Sequence, residues 1–266
     1  MGRYLKIGII GFGNMGSALG ETLKGKIKKI FVYDKDRKKT KNIKNLNVCE
    51  NIKELMKNAK IITLAIKPQD VEKFLKENKK YFLNYQPLLI SIVAGITTNF
   101  FEKRIANIKV IRVMPNLAVK IKKSVSFLCK GKFSSYQDLK IAKEIFSLAG
   151  EVLIVKENLI DRATALSGSG PGYVYYLMDC ILKTALKLGF KKEEAKKLIL
   201  FTFLGATKLA ENSYKDFDVL VKEVASPKGT TEAALNIFKK KRLEKIIEEG
   251  IRSAYKRARE ISKSLN

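Results

Sequence analysis

A chain of 266 residues, 46% of them hydrophobic, has room for one large domain or two ordinary ones and is too apolar for wholesale disorder. Its 53 Lys and Arg against 26 Asp and Glu give a net charge of +27, and the absence of histidine excludes the commonest general acid–base and the commonest metal ligand. The apolar runs are short, such as Leu198-Ile199-Leu200-Phe201, well below the roughly 20 residues of a membrane span.

The first 157 residues alternate apolar runs with amphipathic stretches. Residues 5–10, 29–33, 61–65, 88–93 and 110–113 are short, rich in Ile and Val, and read as buried parallel strands. Residues 15–24, 52–57 and 71–78 read as the helices between them, so the alternation predicts a doubly wound α/β sheet. Residues 124–129 and 152–155 add two later strands around a helix at 136–148. Beyond residue 158 strand-like runs vanish. Val174, Leu177, Ile181, Ala185 and Leu188 fall at helical spacing, and Gly189 suits the stop. Residues 198–204 are apolar all round except at Thr202, so that helix needs cover on several sides, a second subunit included. A last helix over 242–262 carries Leu243, Ile246, Ile247, Ile251, Ala254, Ala258 and Ile261 on one stripe. The expected division is a dinucleotide-binding domain at 1–157 and an all-α domain at 158–266.

Gly11-Phe12-Gly13-Asn14-Met15-Gly16 matches G-x-G-x-x-G directly after the first strand and before the first helix. In that context Gly11 allows the tight turn, Gly13 admits a pyrophosphate to the backbone, and Gly16 lets helix and strand pack closely. The helix N-terminus then faces the phosphates with free amides. Asp34 ends the second strand, where a carboxylate binds both ribose hydroxyls and favours NADH; Lys35, Arg37 and Lys38 follow and suit a 2′-phosphate, so NADH and NADPH both stay open. Ala65-Ile66-Lys67-Pro68 and Val93-Ala94-Gly95 follow two further strands at the sheet edge where such ligands lie, and they read equally well as plain turns.

Three more segments stand out downstream: Arg112-Val113-Met114-Pro115-Asn116, Ser167-Gly168-Ser169-Gly170-Pro171 and Ser226-Pro227-Lys228-Gly229-Thr230-Thr231. With Lys67-Pro68 and the glycine motif, in this order and over essentially the whole chain, they resemble the pyrroline-5-carboxylate reductase family. The resemblance implies a Rossmann domain followed by a helical domain that dimerises by interlocking, in some members with rings of dimers. It implies reduction of 1-pyrroline-5-carboxylate to L-proline by NADPH or NADH, the last step of proline biosynthesis. It places Ser226, Lys228, Gly229, Thr230 and Thr231 at the substrate, with Thr231 hydrogen-bonding the ring nitrogen as the catalytic residue. It also places Asn51 near the adenosine ribose, although Asn51 equally suits a cap for the helix that follows. Read locally, residues 226–229 are a turn, Thr230 and Thr231 begin a helix, and Ser167–Pro171 is a helix entry. A nest of amides and hydroxyls of this kind suits a carboxylate.

The chain departs from the family pattern in three places. Lys228 stands where a second glycine is usual, Leu117 and Ala118 follow Asn116 where Thr-Pro is common, and Ser213-Tyr214-Lys215 lacks the usual acidic residue and proline. A hydroxy-acid dehydrogenase of the same two-domain plan normally employs a lysine or histidine acid–base, and Lys183 and Lys187 read as solvated helix positions. A basic nucleic-acid binder or nucleotide sensor is the remaining reading. The basic residues are scattered and never interleaved with aromatics, so no specific nucleic acid is expected. Cys49, Cys129 and Cys180 form no metal or disulfide spacing and read as small buried hydrophobes. A strand that starts almost at residue 1 leaves no space for a signal peptide, so a cytoplasmic protein without metal or membrane is expected.

Overall fold

The computed structural model describes residues 5–41 and 43–265. The short apolar runs become strands β1 (Lys6–Ile10), β2 (Lys29–Tyr33), β4 (Ile61–Leu64), β5 (Leu88–Ser91), β6 (Lys109–Met114), β7 (Ser124–Lys130) and β8 (Gly150–Ile154). An exposed two-residue strand, β3 (Asn47–Val48), has no apolar signal and exists by pairing with β2 at the sheet edge. The eight strands form one sheet in the order β3-β2-β1-β4-β5-β6-β7-β8. All pairs are parallel except β6 with β7. The chain builds outward from β1 to β2 and β3, then returns to β4 on the other flank, so a switch point opens between β1 and β4.

Helices cover both faces of the sheet. Strand side chains alternate between them: Ile7, Ile9, Ile30, Val32, Ile111 and Val113 join one core with α1 (Asn14–Leu23) and α5 (Tyr136–Ser147). Ile10, Phe31, Ile62, Leu64, Leu89 and Val110 join the other with α2 (Ile52–Asn58), α3 (Val71–Tyr85) and α4 (Thr98–Glu102). Each buried Leu, Ile or Phe contributes about 1.5–3 kcal/mol to this double layer. The helix expected over 71–78 runs on to Tyr85. Phe82, only 2% exposed, repeats the Leu75 position two turns later and meets Phe74 edge-on. It stops at Gln86, which takes a left-handed conformation before Pro87.

Contacts divide the chain into two compact units: residues 1–169 together with 254–266, and residues 170–253. They part later than the change of pattern at 157/158. The reason is α6 (Ile160–Ala163) and the π-turn Thr164–Gly168, whose Ile160, Ala163 and Ala165 are buried in the first unit. The second unit is helical: α7 (Gly170–Lys187), α8 (Lys192–Glu211), α9 (Phe217–Val224), α10 (Thr230–Lys240) and the first half of α11 (Leu243–Leu265). Only Ala195 and Ile199 are buried in α8, while Leu198, Leu200, Phe201 and Leu204 are 51%, 57%, 71% and 55% exposed. A patch this apolar marks a protein–protein surface.

Among the described residues no helix is long and apolar enough to cross a membrane. Cys49 and Cys129 are buried, and burial pushes their thiols up, to about 11 and about 12. Cys180 departs from the expected buried role: on α7 it is exposed, as no residue of that helix is fully buried.

Candidate active site

At the carboxyl edge of the sheet, over the switch point, lies a cavity of about 740 Å³. Gly11, Gly13, Asn14 and Met15 line it from the β1–α1 turn, Asp34 and Lys35 from the end of β2, Ala65, Lys67 and Pro68 from the end of β4, and Ala94 from the end of β5. These ten residues come together around one cavity. Phe12, Gly16, Asn51 and Gly95 do not line the cavity.

The turn is built from backbone requirements. Gly11 has φ +92°, and its N–H donates to the Tyr33 carbonyl at 2.8 Å. A Cβ on Gly16 would stand 1.9 Å from the Gly11 carbonyl oxygen, so glycine there is what lets α1 lie against the turn. Gly13 differs. Its backbone is extended (φ −74°, ψ −161°), and a Cβ would meet no protein atom within 4 Å. Neither strain nor packing demands glycine at that position, and its bare backbone is open to a ligand in the cavity it lines. Gly13 is also the N-cap of α1 and supplies no side-chain cap, so the first amides of the helix stay available. The cavity, the bare Gly13 and the uncapped helix end fit a dinucleotide pyrophosphate.

Asp34 has a role that its position alone does not reveal. It is 6% exposed, and Oδ2 accepts the Phe12 N–H at 2.7 Å while Oδ1 accepts the Asp36 N–H at 2.8 Å. Lys39 Nζ lies 3.6 Å from Oδ1. The carboxylate therefore locks the glycine turn to the end of β2, in addition to facing the cavity. Lys35 pairs with Asp70 at 3.0 Å, and that hydrogen bond raises its pKa. Arg37 is turned to the carbonyls of Cys49 and Glu50. Asn51 is the cap of α2: its Oδ1 accepts the Glu54 N–H at 2.9 Å.

Sequence reasoning did not single out the α3 wall. Asp70, Lys73, Phe74, Glu77 and Asn78 line the cavity from one helix face. Their spacing of three and four residues was the available signal. Two of the family-like segments also meet within the first unit. Asn116 Nδ2 donates to the carbonyl and Oγ of Ser167 at 3.3 and 3.0 Å. Arg112, 2% exposed, donates to Asp161 at 2.9 Å and reaches Glu157 at 3.5 Å. Glu157 in turn accepts from the N–H and hydroxyl of Thr98 at 2.8 and 2.7 Å.

The substrate-loop residues lie in the second unit. Lys228 adopts φ +58°, the left-handed conformation that a glycine would take without strain, and its N–H donates to Glu232 at 2.7 Å. Gly229 N–H closes the turn on the Ser226 carbonyl at 3.0 Å, and Gly229 is the N-cap of α10, again with no side-chain cap. Thr230 and Thr231 are therefore the first two helical residues, and among the described residues neither hydroxyl has a hydrogen-bond partner. Lys183 pairs with Asp179 at 2.6 Å on an exposed face, as a solvated position does.

Residues 157–261 match the family model for pyrroline-5-carboxylate reductase dimerisation, and residues 6–95 match that for NADP oxidoreductase, coenzyme F420-dependent. The chain is 34% identical to pyrroline-5-carboxylate reductase 1 of Bacillus subtilis, over 98% of this chain and 90% of that protein. It is 34% identical to pyrroline-5-carboxylate reductase of Methanosarcina acetivorans, over 98% and 97%. The solved structure of Plasmodium falciparum pyrroline carboxylate reductase with NADP bound superposes with a TM-score of 0.87 at 29% identity, over 97% of this chain and 98% of that one.

Proposed function

The chain belongs to the pyrroline-5-carboxylate reductase family, and from that premise we propose how its own residues carry the reaction. It is an NAD(P)H-dependent oxidoreductase acting on a C=N bond, reducing 1-pyrroline-5-carboxylate to L-proline in the last step of proline biosynthesis. It is a homo-oligomer. We assign residues 1–157 to dinucleotide binding and 158–266 to dimerisation and substrate binding. The exposed apolar face of α8 supports an interlocked dimer. Its Lys-rich surface collects anions rather than a specific nucleic acid, and its place is the cytoplasm.

Bound NAD(P)H supplies the hydride. The first amides of α1, at Asn14 and Met15, hold the pyrophosphate where Gly13 leaves the backbone bare. Asp34 and Lys35, with Asn51, are assigned to the adenosine ribose; Ala65, Lys67, Pro68 and Ala94 line the cavity from the ends of β4 and β5, with Gly95 next in the chain. In the helical unit, the uncapped amides of α10 and the Thr230 hydroxyl receive the substrate carboxylate, with Ser226, Lys228 and Gly229 shaping the turn. Thr231 Oγ1 hydrogen-bonds the ring nitrogen and keeps it oriented and protonated, so the imine carbon is electrophilic when hydride arrives. No histidine enters this scheme.

The observation that carries the reading is Gly13. It is a glycine that nothing in the protein requires, at the mouth of a cavity and at the start of an uncapped helix. The test is loss of reduced nicotinamide absorbance with 1-pyrroline-5-carboxylate, followed by detection of proline. Nucleotide binding without turnover would return the reading to a sensing protein.

A further inference from the structure

We propose that the last two turns of α11 position the cofactor, by setting the turn that walls the dinucleotide cavity. This rests on the cavity being the cofactor site. Ile92, Val93 and Ala94 line that cavity, and Gly95 follows at φ +79°. On its far side Gly95 meets α11. A Cβ there would stand 2.8 Å from Ile261 Cγ2, 3.3 Å from Leu265 Cδ1 and 3.5 Å from the backbone nitrogen of Ser262. The turn is thus pressed between the ligand space and a helix, and Gly95 is required by that helix as well as by its φ.

α11 is fixed there by more than this contact. Leu265 packs on the core formed by α2, α3 and α4, which also contains Val93 and Ile96 on either side of Gly95. Ser262 is 8% exposed. Two turns earlier, Tyr255 lies under the guanidinium of Arg162, 5.9 Å from the ring centre. Residues 254–266 accordingly count with the first compact unit, although α11 starts at Leu243 in the second. The chain leaves the cofactor domain, builds a helical unit, and sends its last helix back to the cavity wall. Ile261, Ser262 and Leu265 are in this sense positioning residues: they meet Gly95, the residue that follows the wall, not the cofactor. Displacing a site wall by about 1 Å costs on the order of a hundredfold in rate when the reacting atoms depend on it.

The experiment measures dissociation constants for NADPH and NADH by nucleotide fluorescence, without substrate, together with Tm and kcat, for wild type, Ile261→Ala, Leu265→Ala, Gly95→Ala and Gly95→Ala/Ile261→Ala. Expected are a weakening of about fivefold or more for Ile261→Ala or Leu265→Ala in a folded protein, and tenfold or more for Gly95→Ala, on the positioning argument above. The double variant should bind better than the product of the two single effects, because removing Ile261 Cγ2 makes room for the new Cβ. Lower Tm with binding within twofold of wild type in both helix variants, or effects that simply multiply, would overturn the proposal. Wild type that binds no nucleotide would instead remove the cavity assignment beneath it.

Discussion

Replacing Gly13 and Gly16 by alanine, one at a time, separates ligand approach from protein packing within four residues of chain. At Gly16 the new Cβ would lie 1.9 Å from the Gly11 carbonyl oxygen and 3.0 Å from its carbon. Reaching an ordinary contact of roughly 3.5 Å means opening helix from turn by about 1.5 Å. Overpacking against backbone sits at the upper end of the usual range, about 3 kcal/mol, which lowers Tm by about 6–12 °C in a domain of this size. Cofactor binding falls with it, since the same movement shifts the α1 amides. At Gly13 the new Cβ meets nothing within 4 Å, on a backbone any residue adopts. A slightly poorer N-cap and a stiffer unfolded chain oppose each other, each by about 1 kcal/mol or less, so Tm hardly moves. The Cβ does occupy the approach to the phosphates, and a loss of about 2 kcal/mol weakens binding roughly thirtyfold. Thermal melts and fluorescence titrations with NADPH read both quantities. A Gly13→Ala protein that binds like wild type, or that melts as early as Gly16→Ala, refutes the reasoning.

Thr231→Ala should lower kcat by about a hundredfold or more while leaving the cofactor dissociation constant within twofold; an unchanged kcat removes Thr231 from the chemistry. Lys228→Gly relieves a left-handed lysine and should raise Tm slightly, by up to about 1 kcal/mol of stability, yet raise KM for the imine through the lost charge; an unchanged KM places Lys228 outside the substrate site. Thr63→Val removes a fully buried hydroxyl that has no partner among the described residues, so calorimetry should show a gain of about 1 kcal/mol, and a loss would mean the hydroxyl is satisfied in solution. Cys49 and Cys129 should resist alkylation at neutral pH until the protein unfolds. Burial raises both thiols, so they bind protons more tightly folded than unfolded; that stability is complete below an unfolded pKa of about 8.5 and fades as pH rises through about 11 and about 12. A native-state thiol titration that consumes either one contradicts this.

The sequence shows the sheet through its Ile- and Val-rich runs, because strands buried on both faces need continuous apolar residues. It shows the cofactor turn because Gly11 and Gly16 are dictated locally. It does not show β3, whose Asn47 and Val48 are exposed and exist only through pairing with Phe31 and Val32. The antiparallel entry of β7 was in principle readable, since residues 115–123 are too few for a parallel crossover. Two site features depend on residues far apart in the chain. Asp34 as the lock on Phe12 N–H, 22 residues away, needs the β1–β2 pairing first. The return of Ile261 and Leu265 to Gly95 is invisible because the α11 stripe reads the same whichever surface it meets. The substrate segment is the reverse case: Ser226–Thr231 was recognisable as a pattern, and the structure adds the uncapped start of α10 at Gly229.

The most direct test of the account transfers deuterium from the reduced nicotinamide carbon to product. Incubation with 1-pyrroline-5-carboxylate and either deuterated cofactor, followed by mass spectrometry of proline, should show one deuterium on the former imine carbon. That label should fall sharply with Thr231→Ala and with Gly13→Ala. Unlabelled proline, or none, from a protein that binds the cofactor would contradict hydride transfer at this site.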